Sequence, residues 1–334
     1  PTAGGPDFMT DIVFQALADA ARAGEPVTLG VITGVKGSSP QKVGAKALFY
    51  GDGRILGTLG GGCLEAEIQH RAVEALRTGE PSTFDLVLDH DFGWDDGLIC
   101  GGKVLGVILP DAQRYGARFW GMLAERQASL TWGVREDFSV AGPGPAGTVA
   151  SSGNGWLYRE TITPPCALWI AGAGHIAQSV APLAWQLDFD VSVFDDRPAL
   201  ANHDYFPATV SLNVGPWQTL CSLPLPDKPS FGLIVTRGHR HDALVLKDWI
   251  HKPFVFLGMI GSSRKARTIH DHFLEEKIAT AEELERVACP VGIPIRSRSV
   301  PEIAVSILAQ FIEKRAERVD EARGCAAAKL ELAG

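Results

Sequence analysis

Three consecutive glycines precede a cysteine in GTLGGGCLE, residues 57 to 65, and a carboxylate follows two positions later. Glycine loses the most backbone entropy on folding and packs nothing, so this run beside a thiol needs a reason. A glycine turn entering a helix leaves backbone N–H groups pointing outward, a nest suited to an anion. Gly61 and Gly62 are the candidates for that nest. A thiol at a helix N-terminus has a lowered pKa, which would make Cys63 a soft metal ligand or a sulfur-exchanging group. Cys100, in LICGGK, has the same glycine-flanked setting. The rival role for both is core packing, which free cysteines commonly perform, and Glu65 competes as the partner of the helix dipole. The other four cysteines, at 166, 221, 289 and 325, lack such flanks and read as packing residues.

A second set of candidates lies in ALWIAGAGHIAQSVAPLAWQLDFDVSVFDD, residues 167 to 196. The order is strand, GxGxxA turn, helix, strand, acidic end, as in a dinucleotide-binding βαβ unit. Gly172 suits the tight turn, Gly174 the close approach of a ligand, and Ala177 the helix–strand contact. Asp195 falls where a ribose hydroxyl would be held, and His175 follows the turn directly, touching a phosphate or merely closing the loop. FGLIVTRGHRHD then reads as a strand ending at Thr236 with Arg237, Gly238, His239 and Asp242 beyond it. PFVFLGMIGSSRKA reads as a strand, a turn at Gly261 and a helix from about Ser262. Ligands of open parallel sheets bind outside the carboxyl ends of the strands, so these loops should converge. Arg264, Lys265 and Arg267 crowd the first turns of a helix whose dipole favours negative charge there. Either an anion binds near them or they form a solvated basic face.

These residues need a scaffold, and the composition supplies enough for two domains. The chain has 334 residues, 46% of them apolar and 21% charged, which is ordinary globular usage. The formal net charge of −8 without basic runs argues against a nucleic-acid or anionic-membrane partner. No apolar stretch approaches spanning length, PTAGGPDFMT lacks the features of a signal peptide, and no CxxC pair or disulfide spacing occurs. A cytoplasmic protein with reduced thiols is expected. In the first half, VTLGVITGV, AKALFY and RILGTL read as short strands, and CLEAEIQHRAVEAL as an amphipathic helix ended by Thr78 and Gly79. GGGC is therefore a strand-to-helix turn. KVLGVILP and SLTWGVRED add strand-like pieces, while AGPGPAGTVASSGNG has the composition of an exposed hairpin loop. His90 with Asp91, Asp95 and Asp96 lacks any recognised ligand spacing and reads as a solvated loop. The expected architecture is α/β: a mixed N-terminal domain over 1–165 and a Rossmann-type doubly wound parallel sheet over 166–334. Near the end, Ser299 and Glu302 have capping-box spacing ahead of an apolar stripe at Ile303, Ile307, Leu308 and Phe311.

Taken together, GVKGSSPQKVGAKALF, GTLGGGCLE, CGGKV, GAGHIA, FDDRP, TRGHRHD, IGSSRKA and CPVGIP followed by PEIAVSI resemble the XdhC/CoxI family of accessory proteins for molybdenum hydroxylases. The resemblance runs through both halves in order. It departs at residues 295 to 299, IRSRS, where the family more often has an acidic residue and glycine, and at the unmatched acidic stretch HDFGWDD. It implies a chaperone that binds the molybdenum cofactor, a pterin dithiolene carrying a phosphate and in some cases an added nucleotide. Such a protein shelters the cofactor, supports its sulfuration with a cysteine desulfurase, and delivers it to a xanthine dehydrogenase or aldehyde oxidoreductase. On that view the metal and dithiolene face Cys63 and Cys100, and the phosphate faces the glycine-turn amides or Arg264 and Lys265. Rival activities are an NAD(P)-dependent oxidoreductase using the GxGxxA unit and a sulfur transferase using Cys63. No catalytic acid–base pair follows the dinucleotide motif to favour the former. A homodimer is expected, two-fold dimers being the commonest oligomers.

Overall fold

The computed structural model describes residues 8–37, 42–88, 102–145 and 155–331. The chain divides into two compact units, Pro1–Pro164 and Pro165–Gly334.

In the first unit, helix α1 (Phe8–Ala23) precedes strands β1 (Val27–Lys36), β2 (Lys46–Tyr50) and β3 (Ile55–Gly57), then helix α2 (Gly62–Thr78) and strands β4 (Ser82–Leu88) and β5 (Gly102–Leu109). These five strands form an antiparallel sheet in the order β3-β2-β1-β5-β4. Because side chains alternate along a strand, β1, β2 and β5 each feed two cores. Leu29, Val31, Leu48 and Tyr50 face α1, whereas Ile32, Ala47 and Phe49 face Leu64, Ile68 and Ala72 of α2. Helix α3 (Ala117–Glu125) and a small sheet of β6 (Leu130–Arg135), β7 (Val140–Pro145) and β8 (Trp156–Ile162) complete the first core, with Trp120 and Trp132 fully buried. Val140–Pro145 overturns part of the loop expectation for AGPGPAGTVASSGNG. Its two prolines are tolerated because β7 is an edge strand paired only to β6.

In the second unit, strands β9 (Cys166–Ala171), β10 (Phe189–Asp195), β11 (Ser211–Val214), β12 (Ser230–Ile234), β13 (Phe256–Met259) and β14 (Val287–Ala288) are all parallel, in the order β11-β10-β9-β12-β13-β14. The chain builds outward in one direction from β9 and then in the other, so the order reverses between β9 and β12. That is the doubly wound arrangement expected, with its ligand crevice at the reversal. Helices cover both faces. On one lie α4 (His175–Gln186) and α9 (Val300–Glu331), whose Ala177, Val180, Ala304, Ile307 and Phe311 meet Leu168 and Ile170. On the other lie α5 (Trp217–Ser222), α6 (His239–Trp249), α7 (Ser263–Glu275) and α8 (Ala281–Glu285), packed on Trp169 and Ala171. The capping box at α9 forms: the Glu302 carboxylate accepts from the Ser299 N–H at 3.2 Å and the Ser299 hydroxyl accepts from the Glu302 N–H at 3.4 Å. β12 ends at Ile234, two residues before the expected Thr236, as the backbone turns toward α6.

Candidate functional site

The glycines of GTLGGGCLE divide by role. Gly57, at φ 90°, lies so close to β2 that a Cβ would come within 2.4 Å of the Lys46 carbonyl oxygen, which also accepts from the Thr58 N–H at 3.2 Å. Here glycine is needed for a tight turn against the neighbouring strand. Gly61 and Gly62 also have positive φ, 70° and 61°, yet a Cβ on either would meet no heavy atom within 4 Å. Their conformation opens the start of α2, where Gly61 is the N-cap without a side-chain hydrogen bond and Cys63 lies in the first turn. The Glu65 carboxylate turns back to accept the Leu59 N–H at 3.1 Å, so it braces the preceding loop. Cys100 and the HDFGWDD stretch lie outside the described residues.

Beneath this loop, β2 is anchored by a buried ion pair with no obvious sequence signal. Lys46 Nζ lies 2.7 Å from Glu160 Oε2, both side chains being almost wholly buried. The ammonium donates to the Gly44 carbonyl at 2.7 Å and sits among the rings of Phe14, Trp132 and Tyr158 at 5.4 to 5.9 Å. The Trp132 indole N–H donates to the same Glu160 oxygen.

In the second unit the sheet brings the candidates to adjacent strand ends. Gly172 follows β9, Arg237 follows β12 and Gly261 follows β13. At Gly172 φ is 112° and a Cβ would come within 2.4 Å of the Val235 carbonyl oxygen, whereas Gly174 faces open space. Gly172 therefore performs the turn role read from the motif, and Gly174 leaves its backbone unobstructed. His175 and His239 are exposed first residues of α4 and α6.

Asp195 is held by the protein itself. Its side chain is fully buried: Oδ2 accepts the Ala173 N–H at 2.6 Å and Arg197 Nη2 at 2.7 Å, while Oδ1 accepts the Arg197 N–H and Nε at 2.9 and 2.8 Å. Burial works to raise this carboxyl, but the Arg197 guanidinium and the Ala173 amide outweigh it and hold the carboxyl below its ordinary range. The carboxylate so engaged braces the glycine turn.

Lys265 is likewise committed to the protein. Its Nζ pairs with the buried Asp242 and donates to the Ile260 carbonyl at 2.9 Å, while Asp242 also accepts the Thr236 N–H and hydroxyl at 3.1 and 2.6 Å. Ser262 caps α7 by accepting the Lys265 N–H. Of the basic residues expected to hold an anion there, Arg264 and Arg267 are exposed.

The sequence reading passed over Asp196 and Arg197, and read Cys289 as packing. Asp196 bonds Arg237 Nη2 at 2.9 Å, and that guanidinium also lies 3.1 Å from His241 Nε2. FDDRP carried the signal, a second acid and an arginine just after the fingerprint acid. Cys289 is half-buried, and the Cβ position of Gly261 lies 3.2 Å from its Sγ; burial pushes its thiol up, Lys265 opposing and Asp242 reinforcing. Cys221 is buried and pushed up to about 12, the behaviour of a packing thiol. A cavity of about 420 Å³ among Trp249, Phe254, Arg286 and Gln310 lies at the amino ends of β13 and β14, away from these loops. Among the described residues no group of three or more His, Cys, Asp or Glu could hold a metal ion, and no helix is long and apolar enough to cross a membrane.

Comparison with known proteins gives concordant results for both units. Residues 168–311 match the XdhC Rossmann domain, and residues 20–87 match the XdhC and CoxI family. The chain is 25% identical to the molybdenum cofactor insertion chaperone PaoD of Escherichia coli, over 94% of this chain and 92% of that protein. It is 25% identical to a probable xanthine dehydrogenase subunit from Bacillus subtilis, over 87% of this chain and 94% of that protein. YqeB of Escherichia coli is 26% identical over 90% of this chain, which spans only 46% of YqeB. A crystal structure of a xanthine dehydrogenase from Bacillus halodurans shares the fold, with a TM-score of 0.75 at 23% identity, covering 92% of this chain and 96% of that one.

Proposed function

Since the chain belongs to the XdhC and CoxI family, we propose that it is a molybdenum cofactor chaperone that delivers the cofactor to a client molybdenum enzyme. The observation that carries this reading is the end-to-end correspondence with a cofactor insertion chaperone, 94% of one chain against 92% of the other. The finer proposal is that the client is a xanthine dehydrogenase or aldehyde oxidoreductase and that the cofactor is sulfurated during its stay, with a cysteine desulfurase as sulfur source. The protein would act in the cytoplasm as a homodimer. Light scattering that gives a monomer at micromolar concentration would remove the dimer.

The cofactor is cargo, and each unit, taken by itself, offers chemistry suited to a group of that kind. Cys63 lies in the first turn of α2, after glycine backbone that is unobstructed at Gly61 and Gly62, and a cysteine is a soft partner for molybdenum or for sulfur exchange. The open space at Gly174 and the exposed Arg237 and Arg264 suit the phosphate end. A nicotinamide cofactor is disfavoured by the engagement of Asp195. The test is transfer: purified chaperone incubated with apo-enzyme of the client class should restore hydroxylase activity in proportion to the pterin it carries. A loaded protein that restores no activity to any such apo-enzyme would overturn the insertion role.

A further inference from the structure

In a sheet with this strand order, an extended nucleotide-like ligand lies across the switch point, its phosphates above the glycine turn of the central strand. Gly172 and Gly174 form that turn after β9, which sits between β10 and β12. The path across it is spanned by protein groups. Asp196, immediately beyond β10, holds Arg237, just beyond β12, with Oδ2 and Nη2 2.9 Å apart. The other oxygen of Asp196 lies 3.9 Å from Arg197 Nε. A carboxylate is thereby set between two guanidiniums that approach from opposite sides of β9. Guanidinium pairs of this kind recognise phosphate oxygens.

Three features set this apart from an incidental surface pair. First, Arg197 is aimed: Asp195 takes its Nε and Nη2 in a bidentate contact, leaving its remaining N–H donors to other partners. Second, neither Asp196 nor Arg237 is buried, with side-chain exposures of 24% and 44%, so their bond can exchange with a ligand at small cost. Third, the backbone at Gly174 is unobstructed, so the glycine turn after β9 is open to a ligand oxygen.

We propose that Arg197 and Arg237 form a diphosphate clamp and that Asp196 is its built-in competitor, displaced when the ligand's phosphates arrive. The proposal rests on the chaperone reading only for its natural ligand, a cofactor extended through a diphosphate to a nucleotide. The competition lowers affinity for stray anions and lets an incoming cargo open the strap between β10 and β12.

Isothermal titration of the full-length protein with inorganic pyrophosphate at low ionic strength tests this. Asp196→Asn should tighten pyrophosphate binding about two- to fivefold, the range expected for releasing one exposed ion pair. Arg237→Gln should weaken it by a similar factor, and the double variant should bind no more tightly than Arg237→Gln alone. Inorganic phosphate should bind the wild type at least about threefold more weakly than pyrophosphate, having fewer oxygens for two guanidiniums. Wild type and Asp196→Asn binding equally would overturn the competitor while leaving the chaperone reading untouched. Absence of binding to every variant would overturn the clamp, and equal affinity for phosphate would overturn its assignment to a diphosphate.

Discussion

Asp195 shows how one side chain can hold a turn. Its carboxylate joins the Ala173 amide to Arg197, and Asp195→Asn should cost about 2 kcal/mol, since a charge-assisted network loses its charge. The pH dependence has a definite sign. A carboxyl held below its unfolded value of about 3.9 contributes stability that is complete above that value and lost as pH falls through the folded value. The gap between wild type and Asp195→Asn in denaturant midpoint should therefore be widest near neutrality and narrow below about pH 4. A gap that widens in acid would reject the assignment. The glycines of the same turn should separate cleanly. Gly172→Ala forces a side chain into positive φ and against the Val235 carbonyl, costing about 2 kcal/mol or more, whereas Gly174→Ala should melt within about 1 kcal/mol of wild type because its φ of −75° suits any residue. Equal melting losses would mean the two positions had been misread.

Among the elements, strands and helices with punctuation were legible. The GxGxxA turn lay between a fully apolar strand and an amphipathic helix, Thr78 and Gly79 ended α2, and Ser299 with Glu302 opened α9. What escaped was α1 and α3; the N-cap of α3 is Gly116, which offers no side-chain cap. An edge strand built from VAGPGP was hidden by turn-forming residues that only an edge position permits. The candidate site was legible as loops, not as bonds: the strand order brings Gly172, Arg237 and Gly261 to neighbouring strand ends, but spacing could not reveal that Asp195 and Lys265 are already partnered. Nor could it reveal that Lys46, one polar residue in the apolar run AKALFY, pairs with Glu160 more than a hundred residues later. Lys46→Met should destabilise the first unit by about 3 to 5 kcal/mol by stranding the Glu160 carboxylate, and Glu160→Leu in the same chain should recover most of the loss. Urea titration of the single and double variants decides this, and a double variant no better than Lys46→Met would argue for packing alone.

For the whole molecule, two units of different architecture match models of one family, and each carries its own candidate residues: an open glycine-led helix start with Cys63 in its first turn in the one, the strand-end loops at Gly172 and Arg237 in the other. Cys63→Ala should lower the pterin retained and the activity transferred to a client apo-enzyme by at least about tenfold, the loss typical of removing a group that holds or tunes a metal. Cys221→Ala should change neither, because a thiol pushed up to about 12 stays protonated at neutral pH and serves only packing. The decisive measurement is the fluorescence of oxidised pterin released from protein purified out of cells that make the cofactor. Pterin approaching one equivalent per chain, falling in Cys63→Ala and unchanged in Cys221→Ala, is the result expected of a cofactor chaperone. Protein that carries no pterin under those conditions, or variants that carry equal amounts, would contradict it.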